Sequence, residues 1–206
     1  MSSRTAHVAI YDTLTDSEIG HLLVELRTGR FTSEAFDIVT VAESPAAIVT
    51  MGGLRIVPDA LLGDLQPSDS DLLVLPGGEL WDKGDGEAFA DVAARFLVAG
   101  VPVAAICGAT AGLARAGLLD ERDHTSAAPE YLAATGYAGG ELYRERRAVV
   151  SGDLITAGPQ SPVQFACATL ERLGLASQQI LEACEGVFHR ADPAAFPVLM
   201  QAQRAT

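Results

Sequence analysis

Residues 101–115 read Val101-Pro-Val-Ala-Ala-Ile-Cys-Gly-Ala-Thr-Ala-Gly-Leu-Ala-Arg115, and this stretch decides the fold. The apolar, β-branched run 101–106 predicts a buried parallel strand, because both faces of such a strand are covered. The small residues 109–116 predict a helix. A cysteine between a strand and a helix is the arrangement known as a nucleophile elbow. The sequence therefore predicts a sharp turn that presents the Cys107 thiol at the carboxyl edge of a sheet.

Two interpretations of Cys107 remain open on these residues alone. In the first, the thiol is a nucleophile, because the helix N-terminus directs N–H groups and partial positive charge at the sulfur and favours the thiolate. In the second, Cys107 is a buried structural residue, since free cysteine is among the most frequently buried residue types. The Gly-x-Ser-x-Gly pattern of many nucleophile elbows is missing here.

The composition indicates a soluble globular protein. Of 206 residues, 49% are hydrophobic and 20% are charged, and we expect a single domain over 1–206 with a C-terminal helical tail at 177–206. The formal net charge of −13 argues against nucleic acid or an anionic membrane surface as a partner. No apolar run approaches the roughly 18 residues of a membrane span. The N-terminal residues lack the apolar region of a signal peptide, so we expect a cytoplasmic protein.

The cysteines and histidines suggest no metal site. Cys107, Cys167 and Cys184 are odd in number and widely spaced, which fits neither a disulfide framework nor a zinc site. Cys167 is expected in the core and Cys184 in a polar, partly exposed tail. The four histidines are equally scattered, and the sequence predicts neither a metal nor another cofactor.

Strands and helices alternate along the chain. The apolar patterns predict strands at 7–11, 36–41, 71–75, 101–106, 143–150 and 154–156, with a short extended piece at 125–126. The amphipathic patterns predict helices at 19–26, 87–99, 109–116, 129–135 and 163–173. Between the strands we expect a hairpin over 48–57 that turns at Gly52-Gly53 and a loop with a short helix at 58–65. Thr15 or Asp16 is expected to cap the first helix and Gly29 to end it. Pro193 and Pro197 are expected to interrupt the C-terminal tail. This alternation predicts an α/β fold, a single doubly wound (flavodoxin-like) parallel sheet with helices on both faces.

Candidate chemistry gathers where three of these strands end. The first strand leads through Tyr11 to Glu18, the 71–75 strand leads to Gly77-Gly78-Glu79, and the 101–106 strand leads to Cys107. Ligands bind beyond the carboxyl ends of strands in such sheets. The convergence favours the nucleophile interpretation of Cys107.

Several motifs occur together in a specific order. They are Asp16-Ser-Glu18, Leu75-Pro-Gly-Gly78, Ala105-Ile-Cys-Gly-Ala109, Leu118-Leu119 before Thr125-Ser126, and Leu154-Ile-Thr-Ala-Gly-Pro159 leading into Phe165-Ala166. From about His7 to about Leu173 the chain resembles the ThiJ/PfpI superfamily, within the class I glutamine amidotransferase-like fold. Activities in this superfamily include small-aldehyde chemistry, isocyanide hydration, peptidase or chaperone activity, and oxidation sensing.

The resemblance implies roles for individual residues. Cys107 would be the elbow nucleophile, Glu18 an acidic residue in contact with it, and the N–H groups of Gly78 and Gly108 an oxyanion site. It also implies a small-molecule electrophile as substrate and a homodimer or higher homo-oligomer. On the residues alone, Glu18 is equally a first-turn glutamate that complements the helix dipole, and Gly77-Gly78 a turn that needs positive φ.

Departures from the family pattern narrow the expected function. Gly108 follows Cys107 where the peptidase-like branch has a histidine, which disfavours a peptidase. No His-x-Glu occurs late in the chain, which disfavours ammonia supply from glutamine. His124 precedes Thr125-Ser126, whereas the Parkinsonism-associated branch has its histidine after the equivalent pair. That branch also has an arginine that the segment 156–158 lacks.

Further pocket candidates complete the sequence interpretation. They are Gly77, Glu79, Trp81, His124, Ser126 and Gly158, with Trp81 expected at the pocket mouth or an interface and Asp82 in a solvated loop. We expect a cofactor-independent cysteine enzyme that acts on a small electrophile: a 2-oxoaldehyde in a glyoxalase- or deglycase-like reaction, or an amide or isocyanide in a hydrolase or hydratase reaction. The alternative is a non-catalytic oxidative-stress sensor or chaperone with an oxidisable Cys107.

Overall fold

A seven-stranded sheet forms the centre of the structure, a computed structural model that describes residues 4–32 and 34–205. In this part of the chain the strands are β1 (Arg4–Ala9), β2 (Phe36–Ala42), β3 (Ile48–Val49), β4 (Arg55–Ile56), β5 (Ala60–Leu61), β6 (Leu72–Leu75), β7 (Val103–Ile106), β8 (Ala148–Ser151) and β9 (Leu154–Ala157). The helices are α1 (Asp16–Thr28), α2 (Glu79–Lys83), α3 (Glu87–Val98), α4 (Gly108–Arg115), α5 (Pro129–Ala133), α6 (Pro162–Arg172), α7 (Gln178–Phe188) and α8 (Phe196–Ala205). No helix in the two described ranges combines the length and apolar character that crossing a membrane requires.

The sheet has the order β5-β2-β1-β6-β7-β9-β8, and each neighbouring pair is parallel except β8 with β9. Every residue of β6 and β7 is buried, as expected for central strands covered on both faces. Helices α1 and α6 pack together beside the sheet, as do α3 and α4. The predicted α/β fold with a mostly parallel sheet flanked by helices is confirmed.

Helix α1 carries two buried acids on its apolar face. Its buried residues are Glu18, Ile19, Leu22, Glu25 and Leu26, the spacing of one helical face. The helix ends at Gly29, whose φ of 60° and N–H bond to Glu25 form a left-handed cap, as predicted. Thr15 occupies the N-cap position, although its side chain makes no capping bond. Because Glu18 belongs to the buried face, its carboxyl points into the protein.

The C-terminal residues differ from the prediction in two respects. Pro193 begins a short 3-10 turn between α7 and α8, but Pro197 lies in the first turn of α8, where a missing N–H costs no helical hydrogen bond. The expectation that Pro197 interrupts the helix was therefore wrong. So was the expectation of a partly exposed Cys184, which is 1% exposed because it follows Leu181 on the face of α7 that packs against the protein.

Two further segments also differ from the sequence interpretation. The 58–65 segment, predicted as a loop with a short helix, contributes the edge strand β5 before a 3-10 turn at Leu62–Asp64. The predicted extended piece at 125–126 forms no strand, although His124 makes an isolated bridge with Tyr143. The hairpin β3–β4 is confirmed, with Gly53 at φ 86° in its turn.

Trp81, expected at a pocket mouth or an interface, is completely buried beneath the loop that follows β6 and lines a cavity of about 340 Å³. Its Nε1 donates to the Tyr11 hydroxyl at 2.7 Å and to the Pro76 carbonyl at 2.9 Å. The ring is accommodated by two glycines. A Cβ atom at Gly86 or at Gly112 would lie 2.2 Å from Cε3 of Trp81. Glycine at both positions is therefore what lets the indole fit.

Gly112→Ala is expected to lower the free energy of unfolding by about 1–3 kcal/mol, because the new methyl group overlaps a ring held by two hydrogen bonds. Gly20→Ala is a matched control. Gly20 is an exposed helical glycine where a Cβ atom meets nothing within 4 Å, so this change is expected to stabilise by about 0.5–1 kcal/mol. Urea unfolding of the three proteins measures both effects. Equal stabilisation by the two substitutions would contradict the packing of Trp81.

Candidate active site

Cys107 occupies the strained turn between β7 and α4. Its φ of 58° and ψ of −125° lie in a region that residues other than glycine rarely adopt. Hydrogen bonds hold the turn in place: the Cys107 N–H donates to the Ala157 carbonyl at 3.0 Å, and the Thr110 hydroxyl donates to the Cys107 carbonyl at 2.6 Å. The thiol is part-exposed. The structure thus has the geometry of a nucleophile elbow.

The Glu18 carboxyl, which is 3% exposed, forms a hydrogen bond with the Cys107 thiol. Oε2 of Glu18 also accepts the Gly77 N–H at 2.7 Å. A Cβ atom at Gly77 would lie 2.6 Å from this oxygen and 3.0 Å from Sγ of Cys107. Neither Gly77 nor Gly78 has φ in the left-handed region. Glycine at position 77 is therefore needed for space between the Glu18 carboxyl and the Cys107 thiol, and not for an unusual φ.

Ionised Glu18 suppresses ionisation of Cys107, and burial opposes ionisation of both groups. Burial raises the pKa of Glu18, against the hydrogen bonds from Cys107 and from the Gly77 N–H. Burial, followed by the negative charge of Glu18, raises the pKa of Cys107 to about 12, while a hydrogen bond from the Gly108 N–H lowers it. The pair consequently releases one proton and retains the second over a wide pH range. The retained proton resides on the Cys107 sulfur, which donates it to the Glu18 carboxylate, and its transfer to Glu18 leaves Cys107 as a thiolate.

This result modifies two sequence expectations. The helix N-terminus alone does not make Cys107 a thiolate, because burial and Glu18 oppose it. The two predicted oxyanion donors also differ in availability. The Gly108 N–H is bonded to the Cys107 sulfur, whereas in the described part of the chain the Gly78 N–H meets no protein acceptor.

The loop that carries Gly77 and Gly78 is held from below. The Tyr11 hydroxyl donates to the Pro76 carbonyl and accepts a hydrogen bond from Trp81, whose ring it meets edge-on. Burial raises the pKa of Tyr11 well above its usual value, so the phenol keeps its proton. Sequence reasoning placed Tyr11 only at a strand end and contained no signal for this role.

Residues 4–172 match the DJ-1/PfpI family. The chain belongs to this family. It is 35% identical to the uncharacterized protease YoaZ of Bacillus subtilis (strain 168) over 178 residues, 84% of this chain and 85% of the relative. A thiJ/pfpI family protein from Bacillus anthracis superposes with a TM-score of 0.91 at 34% identity, covering 98% of each chain. The DJ-1 superfamily protein Atu0886 from Agrobacterium tumefaciens gives 0.82 at 30% identity, covering 91% of this chain and 98% of its own.

Two residues of this DJ-1/PfpI chain interact electrostatically with the thiol, although the sequence interpretation assigned neither to the site. Tyr131 of α5 donates its hydroxyl proton to Oδ1 of Asp82 at 2.6 Å. Burial and then Asp82 raise the pKa of Tyr131, with a further contribution from Cys107, and Asp82 in turn contributes to the raised pKa of Cys107. Asp82, expected in a solvated loop, is solvent-exposed but lies in helix α2. The only sequence signal was the predicted helix around Tyr131, which does not reveal its neighbours.

The remaining pocket candidates lie away from the thiol or behind the elbow. Glu79 is exposed and pairs with Lys83 at 2.9 Å. The Ser126 hydroxyl is buried in a 2.6 Å hydrogen bond with Thr110, and a Cβ atom at Gly158 would lie 2.7 Å from the Ser126 carbonyl oxygen. Ser126 also lines a cavity of about 400 Å³. These contacts support the elbow from behind.

His124 is completely buried and serves a structural role. Its Nδ1 lies 2.7 Å from the Arg122 carbonyl and its Nε2 lies 3.0 Å from the Tyr137 hydroxyl. Burial lowers its pKa, which favours the neutral imidazole. The structure does not bring His124 to Cys107. Among residues 4–32 and 34–205, no group of three or more His, Cys, Asp or Glu side chains is placed to hold a metal ion.

The pH dependence of Cys107 alkylation is expected to reveal the shared proton. In the wild-type protein the rate should rise once as the pair loses its first proton, and again toward a pKa of about 12. Glu18→Gln removes the negative charge, so the upper step should move to lower pH and merge into a single step. Iodoacetamide alkylation followed by peptide mass mapping gives both profiles. A single step near 8.5, roughly the value of a free thiol, in both proteins would contradict the coupling.

Glu18→Gln is also expected to change the pH dependence of stability. A raised folded-state pKa means that protonated Glu18 is favoured in the native state, so wild-type stability falls as pH rises from the ordinary glutamate value through the folded one. Glutamine does not titrate, and the Tm of the variant should therefore gain on wild type between about pH 5 and pH 8.

Glu25→Gln provides the matched control for this experiment. Glu25 is equally buried on α1 but pairs with Arg30 at 2.5 Å, and its substitution should lower Tm at either pH because it breaks a buried ion pair. If Tm of Glu18→Gln changes with pH in parallel with Tm of the wild-type protein, Glu18 keeps one charge state throughout this pH range.

Proposed function

We propose that the protein is a cofactor-independent cysteine enzyme that acts on a small electrophilic carbon, such as the aldehyde carbon of a 2-oxoaldehyde. The contact between Glu18 and Cys107 carries this proposal. It places a buried carboxyl with a raised pKa against a part-exposed thiol on a strained turn. A nucleophile and a proton donor are thereby held together without a histidine.

The chemistry assigned to these residues begins with transfer of the Cys107 thiol proton to the Glu18 carboxylate. The Cys107 thiolate adds to the carbonyl carbon, a C–S bond forms, and the C=O π electrons move to oxygen. The Gly78 N–H stabilises that negative oxygen, and Glu18 then protonates it to give a hemithioacetal. Glu18 is left as a carboxylate, which suits it to accept a proton from the adjacent carbon or from water in the next step.

The surroundings of the thiol favour a small substrate. Gly77 lies close against Sγ, and the hydrogen-bonded pair of Asp82 and Tyr131 interacts electrostatically with the thiol. Tyr131 keeps its phenolic proton because its pKa is raised. A compact carbonyl compound with a second polar oxygen fits these neighbours better than an extended polymer.

Two alternatives have specific support. The Bacillus subtilis relatives YoaZ and YdeA are each named an uncharacterized protease, although the buried His124 of this chain contributes nothing to the thiol. A non-catalytic oxidation sensor is also consistent with a part-exposed thiol that a carboxyl group contacts, since sulfinic acid at Cys107 would accept a hydrogen bond from Glu18.

A substrate panel with matched variants tests the proposal. Consumption of glyoxal and methylglyoxal, followed by NMR, should vanish in Cys107→Ser and fall about 10²- to 10⁴-fold in Glu18→Gln, because the proton donor is lost. Cys184→Ser, far from the elbow on α7, should retain full activity. The same proteins are assayed with small amides, isocyanides and casein.

Each outcome of this panel has a defined consequence. Turnover that survives Cys107→Ser would eliminate the cysteine mechanism. Casein cleavage that depends on Cys107 would instead establish a peptidase. Selective addition of two oxygens at Cys107 by peroxide, with no turnover of any compound, would favour the sensor.

A further inference from the structure

Cys167 and Cys184 meet in the core between α6 and α7. They are 5% and 1% exposed, and hydrogen bonding to the other thiol is the largest influence on the pKa of each. Sγ of Cys167 also lies 3.8 Å from the carbonyl oxygen of Leu181, one turn before Cys184 on the same helix. Two thiols that are separate in sequence therefore form a direct pair in a region distant from the elbow along the chain.

A cavity of about 440 Å³ gives access to Cys167, the α6 member of the pair. Cys167 lines it, together with Gln164, Glu185 and Arg190. Gln164 is nine-tenths buried or more, and neither its amide nitrogen nor its amide oxygen has a hydrogen-bond partner. An unpartnered amide is costly to bury, so its donor and acceptor are available to a small polar molecule in the cavity.

The interaction between the two thiols favours loss of the proton of Cys184 over that of Cys167. The hydrogen bond between the thiols lowers the pKa of Cys184, with Arg30 acting in the same direction against burial and the acidic Glu25 and Glu185. The same bond raises the pKa of Cys167. A monoanion that shares its remaining proton between two sulfurs is a suitable nucleophile for an O–O bond.

We propose that Cys167 and Cys184 form a second thiol site, at which a small hydroperoxide entering the cavity converts the two thiols into a disulfide that links α6 to α7. One sulfur attacks the O–O bond, becomes a sulfenic acid and releases the alcohol or water. The second sulfur then displaces the hydroxyl group, which leaves as water. Overall, two thiols and one hydroperoxide give one disulfide, one alcohol and one water, whichever sulfur reacts first.

The direct contact between the thiols decides the product. A sulfenic acid formed at either residue has its resolving thiol on the helix packed against it, so we expect the disulfide to form before a second hydroperoxide arrives. Cys107 differs because its neighbour is a carboxyl group, which cannot resolve a sulfenic acid. The two sites should consequently give different oxidation products in the same molecule.

The experiment uses the full-length Cys107→Ser protein, which removes the elbow thiol and with it the site of the proposed enzyme. The protein is treated with increasing concentrations of hydrogen peroxide, unfolded without reductant and alkylated with iodoacetamide. Its mass is then measured by intact-protein mass spectrometry. We expect a mass loss of about 2 Da, the two hydrogens of a disulfide, with no alkylation and full reversal by dithiothreitol. Peptide mapping should identify a peptide that joins residues 167 and 184 within one chain.

Cys107→Ser/Cys167→Ser and Cys107→Ser/Cys184→Ser are the matched controls. Each retains one thiol, so neither should show the 2 Da loss, and the remaining cysteine should stay alkylatable or become a sulfinic acid. The proposal is overturned if both thiols of the Cys107→Ser protein remain alkylatable at a peroxide dose that oxidises Cys107 completely in the wild type. Independent sulfinic acids, or a disulfide between two chains, would overturn it equally. Unchanged Tm and alkylation of Cys107 in single Cys167→Ser and Cys184→Ser variants confirm that the fold tolerates the substitutions.

Discussion

One proton held between a carboxyl and a thiol is the constraint on which the site depends. Neither group has a cationic partner among its contacts: Glu18 is bonded by Cys107 and by the Gly77 N–H, and the Cys107 sulfur by the Gly108 N–H. Two negative charges on neighbouring, largely buried groups are strongly disfavoured. The site therefore stores a nucleophile and an acid as a single unit, and its chemistry follows from where the proton resides.

Three separate parts of the chain maintain this unit. The apolar face of α1 carries Glu18 inward, the loop after β6 supplies the Gly77 N–H, and the turn after β7 holds Cys107 at a φ that only its hydrogen bonds to the surrounding structure maintain. Beneath the loop, Tyr11 and Trp81 fix the Pro76 carbonyl. Strain at the turn is tolerated because regular elements surround it on each side.

The features that local pattern encodes could be predicted from the sequence. The end of α1 at Gly29, the elbow at Cys107 and the convergence of strand ends follow from periodicity, capping and parallel-sheet topology. Features that depend on which residues meet across the fold could not. A tryptophan after two glycines reads as a surface residue, yet Trp81 is buried because glycines from α4 and the turn before α3 make room for it. The same reason hid the contact of Asp82 with Tyr131 and that of Cys167 with Cys184.

The packing of Trp81 also has an evolutionary consequence. Positions 81, 86 and 112 come from separate elements but share one volume, since a methyl group at either glycine would occupy space that the indole fills. A larger residue at 86 or 112 becomes acceptable only after the indole is lost, and loss of the indole alone leaves a void beneath the loop that follows β6. The three positions are therefore expected to evolve together. A single substitution at one of them gives a less stable protein, and only joint replacement restores comparable packing.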